Sequence, residues 1–343
     1  MNVSACRRFV SAGVLIASAV LVLPSGATLV AAPPQKWIAE RTPDGHPDFQ
    51  GVWANNTVTP LQRPKQWEGK TRLTDAEVAQ LQAFARQITE NDGDAQFGDG
   101  FILAVLSQIA KPNSYDPGTG NYNQFWVVER DWHDRRTSLI TDPPDGKLPP
   151  LTPEGQKRRS AELEHRRAHA FEDPEVFPLG ERCVNFGIPR TQAGYNSYVR
   201  IVQTPGYVMI MSEMAHDARI IPIDARPHLD DRVRIWNGDS RGRWEGDTLV
   251  VDTTNFSPKS DFMGSHDALR LTERLTRVSQ DVLNYEFTVT DPTLWTKPWT
   301  AMIPLKYKNE LIYEYACHEG NQAIPNMLSG HRFEEREAAR RQR

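Results

Sequence analysis

The chain has 343 residues, a formal charge of −4 at pH 7, and 39% hydrophobic against 24% charged residues. That balance supplies a sizeable core, requires no strongly basic face and argues against nucleic acid as a partner. The 25 Pro and 22 Gly favour strands joined by rigid turns.

Arg7 and Arg8 precede an apolar run over 9–23, and Ser25 and Ala27 follow at positions that a signal peptidase prefers. This pattern predicts a secretory signal peptide over 1–27, with a periplasmic or secreted product and no stable membrane span after cleavage. The run is short for a membrane anchor, and Pro24-Ser25-Gly26 ends it. Cys6 lies ahead of the run, so two cysteines remain, Cys183 and Cys317. An oxidising compartment predicts that they pair, and chain entropy makes such a bridge worth roughly 4–5 kcal/mol.

After the leader, an N-terminal arm is expected over 28–180, a β-barrel domain over 181–330 and a frayed, charged tail over 331–343. Residues 41–48 read as consecutive turns, and Gly51-Val52-Trp53 opens an apolar segment. Thr74 with Glu77 forms a capping box. Val78, Leu81, Phe84, Ala85 and Ile88 then share one helical face, which Asn91-Asp92-Gly93 ends. A second helix is predicted over 101–109, and a hairpin from 124–129 and 137–140. Thr152-Pro153 opens a third helix, whose Arg158, Arg159, Arg166 and Arg167 alternate with Glu154, Glu162 and Glu164 as a solvated face.

From Tyr195 the pattern is β. Strands are predicted over 197–204, 207–214, 218–224, 232–236, 241–244, 248–254, 269–278, 283–290, 299–306 and 311–317. The densest signal is 239–256, where Glu245-Gly246-Asp247 turns one strand into the next. Such a meander escapes its edges most simply by closing. The expected fold is mainly β, an antiparallel lipocalin-like β-barrel with an N-terminal arm containing two or three helices.

Side chains two apart on a strand share a face. Glu273 therefore falls among Leu269, Leu271 and Leu275, and Arg219 beside Ile221 and Ile223. A carboxylate in an apolar row is costly unless paired, so an Arg219–Glu273 pair is predicted. The segments 212–219 and 314–321 hold the richest chemistry, and a closed barrel would bring them together at one rim. Candidate acid–base groups are Glu213, His216, Arg219, Glu273 and His318. His216 and His318 with Glu213 or Glu319 could also serve a divalent cation, but no local ligand motif is present and no metal is assigned. Trp244, Tyr285, Phe287 and Trp299, with Trp236 and Trp295 nearby in sequence, either line an apolar pocket or fill the core. Phosphate-binding Gly motifs, Gly-x-Ser-x-Gly, His-Glu-x-x-His and EF-hand patterns are all absent, so no cofactor is expected.

Several motifs carry a wider likeness. They are Thr42-Pro-Asp-Gly-His-Pro-Asp48 with Gln50-Gly-Val-Trp53, Leu179-Gly-Glu-Arg-Cys183, the hairpin of 238–256, and Tyr315-Ala-Cys-His-Glu-Gly-Asn321. Through them the chain resembles a large group of uncharacterised exported proteins of soil and environmental bacteria. The resemblance implies export and one continuous architecture, and it assigns no catalytic residue. Gly51-Val52-Trp53 with the strand meander is also similar to the opening of lipocalin barrels, which implies a cup for a small apolar molecule.

The leading expectation is an exported protein that binds a small, largely apolar molecule in the barrel. The alternatives are a periplasmic or secreted hydrolase, lyase or isomerase using the carboxylates and His named above, and a structural envelope-associated module. Nothing in the sequence sets an oligomeric state.

Overall fold

In β9 (Val282–Thr290) every second side chain, Leu283, Tyr285, Phe287 and Val289, is buried, and those between are half-buried. The same alternation buries Trp299, Ala301, Ile303 and Leu305 of β10 (Trp299–Lys308) and Leu271, Glu273 and Leu275 of β8 (Arg270–Arg277). A period of two along successive strands gives each strand one inward face, and the inward faces together make the core. The computed structural model describes residues 37–90, 95–112, 127–191 and 193–342.

The remaining strands are β1 (Gly51–Ala54), β2 (Ile140–Asp142), β3 (Tyr198–Thr204), β4 (Tyr207–Ser212), β5 (Ala218–Pro222), β6 (Asp239–Glu245) and β7 (Thr248–Thr254). Their order is β5-β4-β3-β1-β10-β9-β8-β7-β6, with β2 continuing beside β10. The result is a nearly closed antiparallel barrel, in which β1 joins the last strand of the meander to its earlier half. Its sheet therefore draws β1 and β2 from the N-terminal part of the chain.

Every ladder around this ring is antiparallel, and the ring holds an odd number of strands. The two strands beside the remaining gap, β5 and β6, consequently run in the same direction. A parallel neighbour needs a crossover of roughly a dozen residues or more, and residues 223–238 supply it. Side chains seal this seam. A carbon added at Gly242 of β6 would collide with Cδ1 of Ile223 and lie 3.0 Å from Cγ2 of Ile221.

Helix α1 (Asp75–Glu90) begins with the expected capping box, since Glu77 Oε2 accepts from Thr74 N at 2.8 Å and Thr74 Oγ1 from Glu77 N at 3.3 Å. With α2 (Asp99–Leu106) it forms a second small core of Ala85, Ile88, Phe101, Ile102, Val105 and Trp67. In α3 (Pro153–Ala168), Thr152 Oγ1 accepts from Gly155 N at 2.9 Å, and Gly155 lies against the Leu294 backbone. Arg158 leaves the solvated face predicted for it and donates to Thr293 Oγ1 and Gly264 O, each at 3.0 Å.

Other expectations are corrected. Residues 232–236 form a crossover loop, with Val233 and Ile235 exposed, not a strand. Residues 311–317 form an irregular strap, because β1 and β9 already occupy the two edges of β10. Strand β4 stops at Ser212 and gives way to a 3-10 turn over Met214–His216. Residues 137–140 do not pair with 127–129; Ile140 pairs with Ala301 of β10. The tail is helical, α4 (Ala323–Arg341), and of its residues Leu328 alone is buried. The predicted leader, the helix stop at 91–93 and residues 124–126 lie outside the described residues. Among the described residues no helix is long and apolar enough to cross a membrane.

Gly242→Val is expected to lower the unfolding free energy by about 1–3 kcal/mol, as overpacking does. Urea denaturation checks this, and an unchanged midpoint would show that the seam is open.

Candidate functional site

Arg219 and Glu273 meet inside the barrel as a bidentate pair, Nη1 to Oε2 at 2.7 Å and Nη2 to Oε1 at 2.8 Å. Glu273 is fully buried, and the Tyr285 hydroxyl donates to its Oε1 at 2.7 Å. Burial pulls the Arg219 guanidinium down, but the Glu273 carboxylate more than compensates and holds it above its ordinary value. Burial, reinforced by the same carboxylate, keeps the Tyr285 phenol protonated well beyond its usual range. All three groups are thus committed to one another, linking β5, β8 and β9 across the interior.

Arg219 and Tyr285 also line a small cavity of about 50 Å³ at one end of the barrel. Its walls are apolar, with Ile188, Val199, Ile201, Ile210, Leu275 and Leu305. Arg190, Asp217, Asn237 and Tyr198 add polar groups. A water requires roughly 10–15 Å³ of such space, so the cavity holds a group of a few heavy atoms.

Asp217 precedes β5 and Asn237 nearly precedes β6. Because the two strands run in the same direction, their starts fall at the same end of the barrel. There Asn237 Nδ2 donates to Asp217 Oδ2, a side-chain link where no backbone ladder exists.

Arg190 stands apart from this pairing. Among the described residues its guanidinium makes a 3.0 Å contact with Met214 Sδ, a weak acceptor, and lies 5.2 Å from the centre of the Phe186 ring. It makes none of the ion pairs found among the described residues, whereas Arg219 is doubly bonded to its carboxylate. Burial holds the Arg190 guanidinium below its ordinary value, only partly opposed by the nearby Asp217 carboxylate.

The strap of 311–317 does reach the rim, as the closed barrel required. Tyr315 N donates to His216 Nε2 at 3.1 Å, and Tyr313 O lies 3.2 Å from the same nitrogen. His216 therefore fastens the strap through a ring nitrogen. Ala215 and His216 both take left-handed backbone, with φ of 59° and 48°, which turns the chain sharply between β4 and β5. Cys183 and Cys317 pin the strap's other end at disulfide distance, with Cα atoms 5.7 Å apart. His318 is exposed beyond that point.

The other expected residues are scattered. Phe287 and Trp299 are fully buried and pack edge to face, with Trp295 against Trp299. Trp244 stacks on His46 with ring centres 4.6 Å apart and also packs against Phe49. Of the four aromatics assigned to a ligand, Tyr285 lines the cavity. Glu213 is buried with Oε2 unpartnered, and burial raises its carboxyl above the ordinary range, opposed by a backbone hydrogen bond at Tyr198 and by His216. Among the described residues no cluster of three His, Cys, Asp or Glu side chains could hold a metal ion.

Larger depressions of about 900, 620, 450 and 170 Å³ are open; in the first Lys259 pairs with Glu175 and in the second Lys306 pairs with Asp281. Arg190 and Asn237 were not singled out from the sequence, and Asp217 entered only as part of the 212–219 segment. An Arg in the irregular stretch before β3 carries no periodic signal of facing inward. Comparisons with family models, curated proteins and solved structures give no match.

Glu273→Ala is expected to cost about 3–5 kcal/mol of stability in urea, since it strands a buried guanidinium, and Arg219→Leu with Glu273→Leu together to cost much less. A loss below about 1 kcal/mol for the single change would place the carboxylate outside the core. The raised Glu213 carboxyl favours the neutral form in the folded chain. Its contribution is therefore present below the unfolded value of 4.5 and is lost as pH rises through the folded one. Glu213→Gln, permanently neutral, is expected to melt higher than wild type at pH 8, with the difference shrinking towards pH 4 in calorimetric scans.

Proposed function

We propose that this is an exported protein, periplasmic or secreted, that binds a small molecule with an apolar body and an anionic head in the barrel-end cavity. The observation that carries this reading is Arg190, a guanidinium at the cavity without a carboxylate in contact. A half-buried cation gains from an anion that brings charge-assisted hydrogen bonds. The branched apolar walls suit a short aliphatic body, and the cavity's size limits the enclosed part to a few heavy atoms.

Export is supported by the leader pattern and by the cysteine pair, which an oxidising compartment maintains. Arg219 has its own carboxylate and acts here as a wall that is already neutral. The acid–base chemistry weighed from the sequence has less support, because Glu273 is held by two partners and His216 Nε2 is bonded to the strap.

Native mass spectrometry of protein isolated from the periplasm is expected to show a co-purified small acid, and Arg190→Gln to lose it. An acid retained equally by both proteins would remove Arg190 from the site.

A further inference from the structure

The wall that holds Arg190 also holds a carboxylate without a cation. Asp217 is half-buried at the cavity, between the Met214–His216 turn and β5. Its Oδ2 accepts from Asn237 Nδ2, a neutral donor, which holds the group in place. Its Oδ1 has no hydrogen bond to the described residues and is not enclosed in the packing, so it retains accessible surface. Asp217 makes none of the ion pairs found among the described residues. Its charge acts through space on both Arg190 and Arg219, but only Arg219 has a carboxylate in contact, that of Glu273.

Charge then limits the ligand. Arg219 and Glu273 cancel, so one positive group, Arg190, and one negative group, Asp217, remain at a cavity whose other walls are neutral. A plain anion answers the guanidinium but brings a like charge beside Asp217 within a space of about 50 Å³, where like charges repel. An amine answers Asp217 and repels Arg190 in the same way. A molecule with both charges within a few bonds pairs with each and adds no net charge to the cavity. An α-amino acid carries its carboxylate and ammonium on one carbon, and the cavity's size leaves room for little beyond that carbon. Resting on the anion-binding reading above, we propose that the ligand is a small zwitterionic amino acid, its carboxylate held by Arg190 and its ammonium donating to Asp217 Oδ1.

The probes are alanine, propanoate and ethylamine, a zwitterion and the two analogues that each keep one of its charges, titrated calorimetrically into the exported protein at neutral pH. Alanine is expected to bind about tenfold or more tighter than either analogue, because each lacks one charge-assisted hydrogen bond and leaves the group it served unpaired. Asp217→Asn, which keeps an oxygen for Asn237, should remove the advantage of alanine over propanoate and strengthen propanoate by relieving the repulsion. The wild-type comparison of the three probes stands even if this variant fails to fold. Propanoate binding as tightly as alanine, with both weakened by Arg190→Gln, would overturn the ammonium assignment and leave the anion site intact. Alanine binding unchanged in Asp217→Asn would overturn that assignment too. Ethylamine matching alanine, or failure of all three to bind the wild type at millimolar concentration, would remove the anion site and this inference with it.

Discussion

An odd number of strands cannot close a ring with antiparallel pairs throughout, and that parity governs this barrel. One junction must bring two like-directed strands together, and here it falls between β5 and β6. Without a ladder, the junction depends on side chains. Gly242 admits the Ile221 and Ile223 side chains to the β6 backbone, and Arg219 reaches from β5 across the interior to Glu273 on β8. Two carboxylate–guanidinium hydrogen bonds and the Tyr285 hydroxyl leave that carboxylate well satisfied despite complete burial.

The same parity explains the position of the cavity. Strands in one direction have their starts at one end, so Asp217 and Asn237 come together where a backbone ladder would otherwise have filled the gap. The residues before β3 contribute Arg190 to the same place, and the strap over 311–317 is fastened to the adjoining turn through His216 and to Cys183 through Cys317. Polar groups thus gather at the one discontinuity of the sheet, while the rest of the interior is filled by Phe287, Trp295 and Trp299. A cavity at a junction without a backbone ladder costs less than one carved into a packed core, since no apolar contacts have to be given up.

The β signal from Tyr195 onward was legible because alternation is a local property. Strand β7 occupies the predicted 248–254 without change, and the inward set of Leu271, Glu273 and Leu275 follows from a period of two. Pairing of Arg219 with Glu273 could be deduced because two charges on apolar faces of one small core have few other partners. The segment 311–317 misled for the converse reason: its alternation suits a strand, but no edge was left for it to join. Helix α4 was missed because its end over 334–343 is almost wholly charged and reads as a solvated tail, and of the helix Leu328 alone is buried. Of the two roles open to the aromatics, Phe287 and Trp299 take the core, because inward-facing rings on adjacent strands pack against one another, while Tyr285 lines the cavity.

What the sequence by itself determined is the set of elements and their inward faces, since capping boxes, turn residues and alternation act over a few neighbouring residues. Closure through β1, the like-directed seam, and the meeting of Arg190 with Asp217 and Asn237 were decided only by tertiary structure. Those outcomes depend on how many strands enter the ring and which edges remain free. Both are properties of the assembled sheet, and no local stretch of chain encodes them.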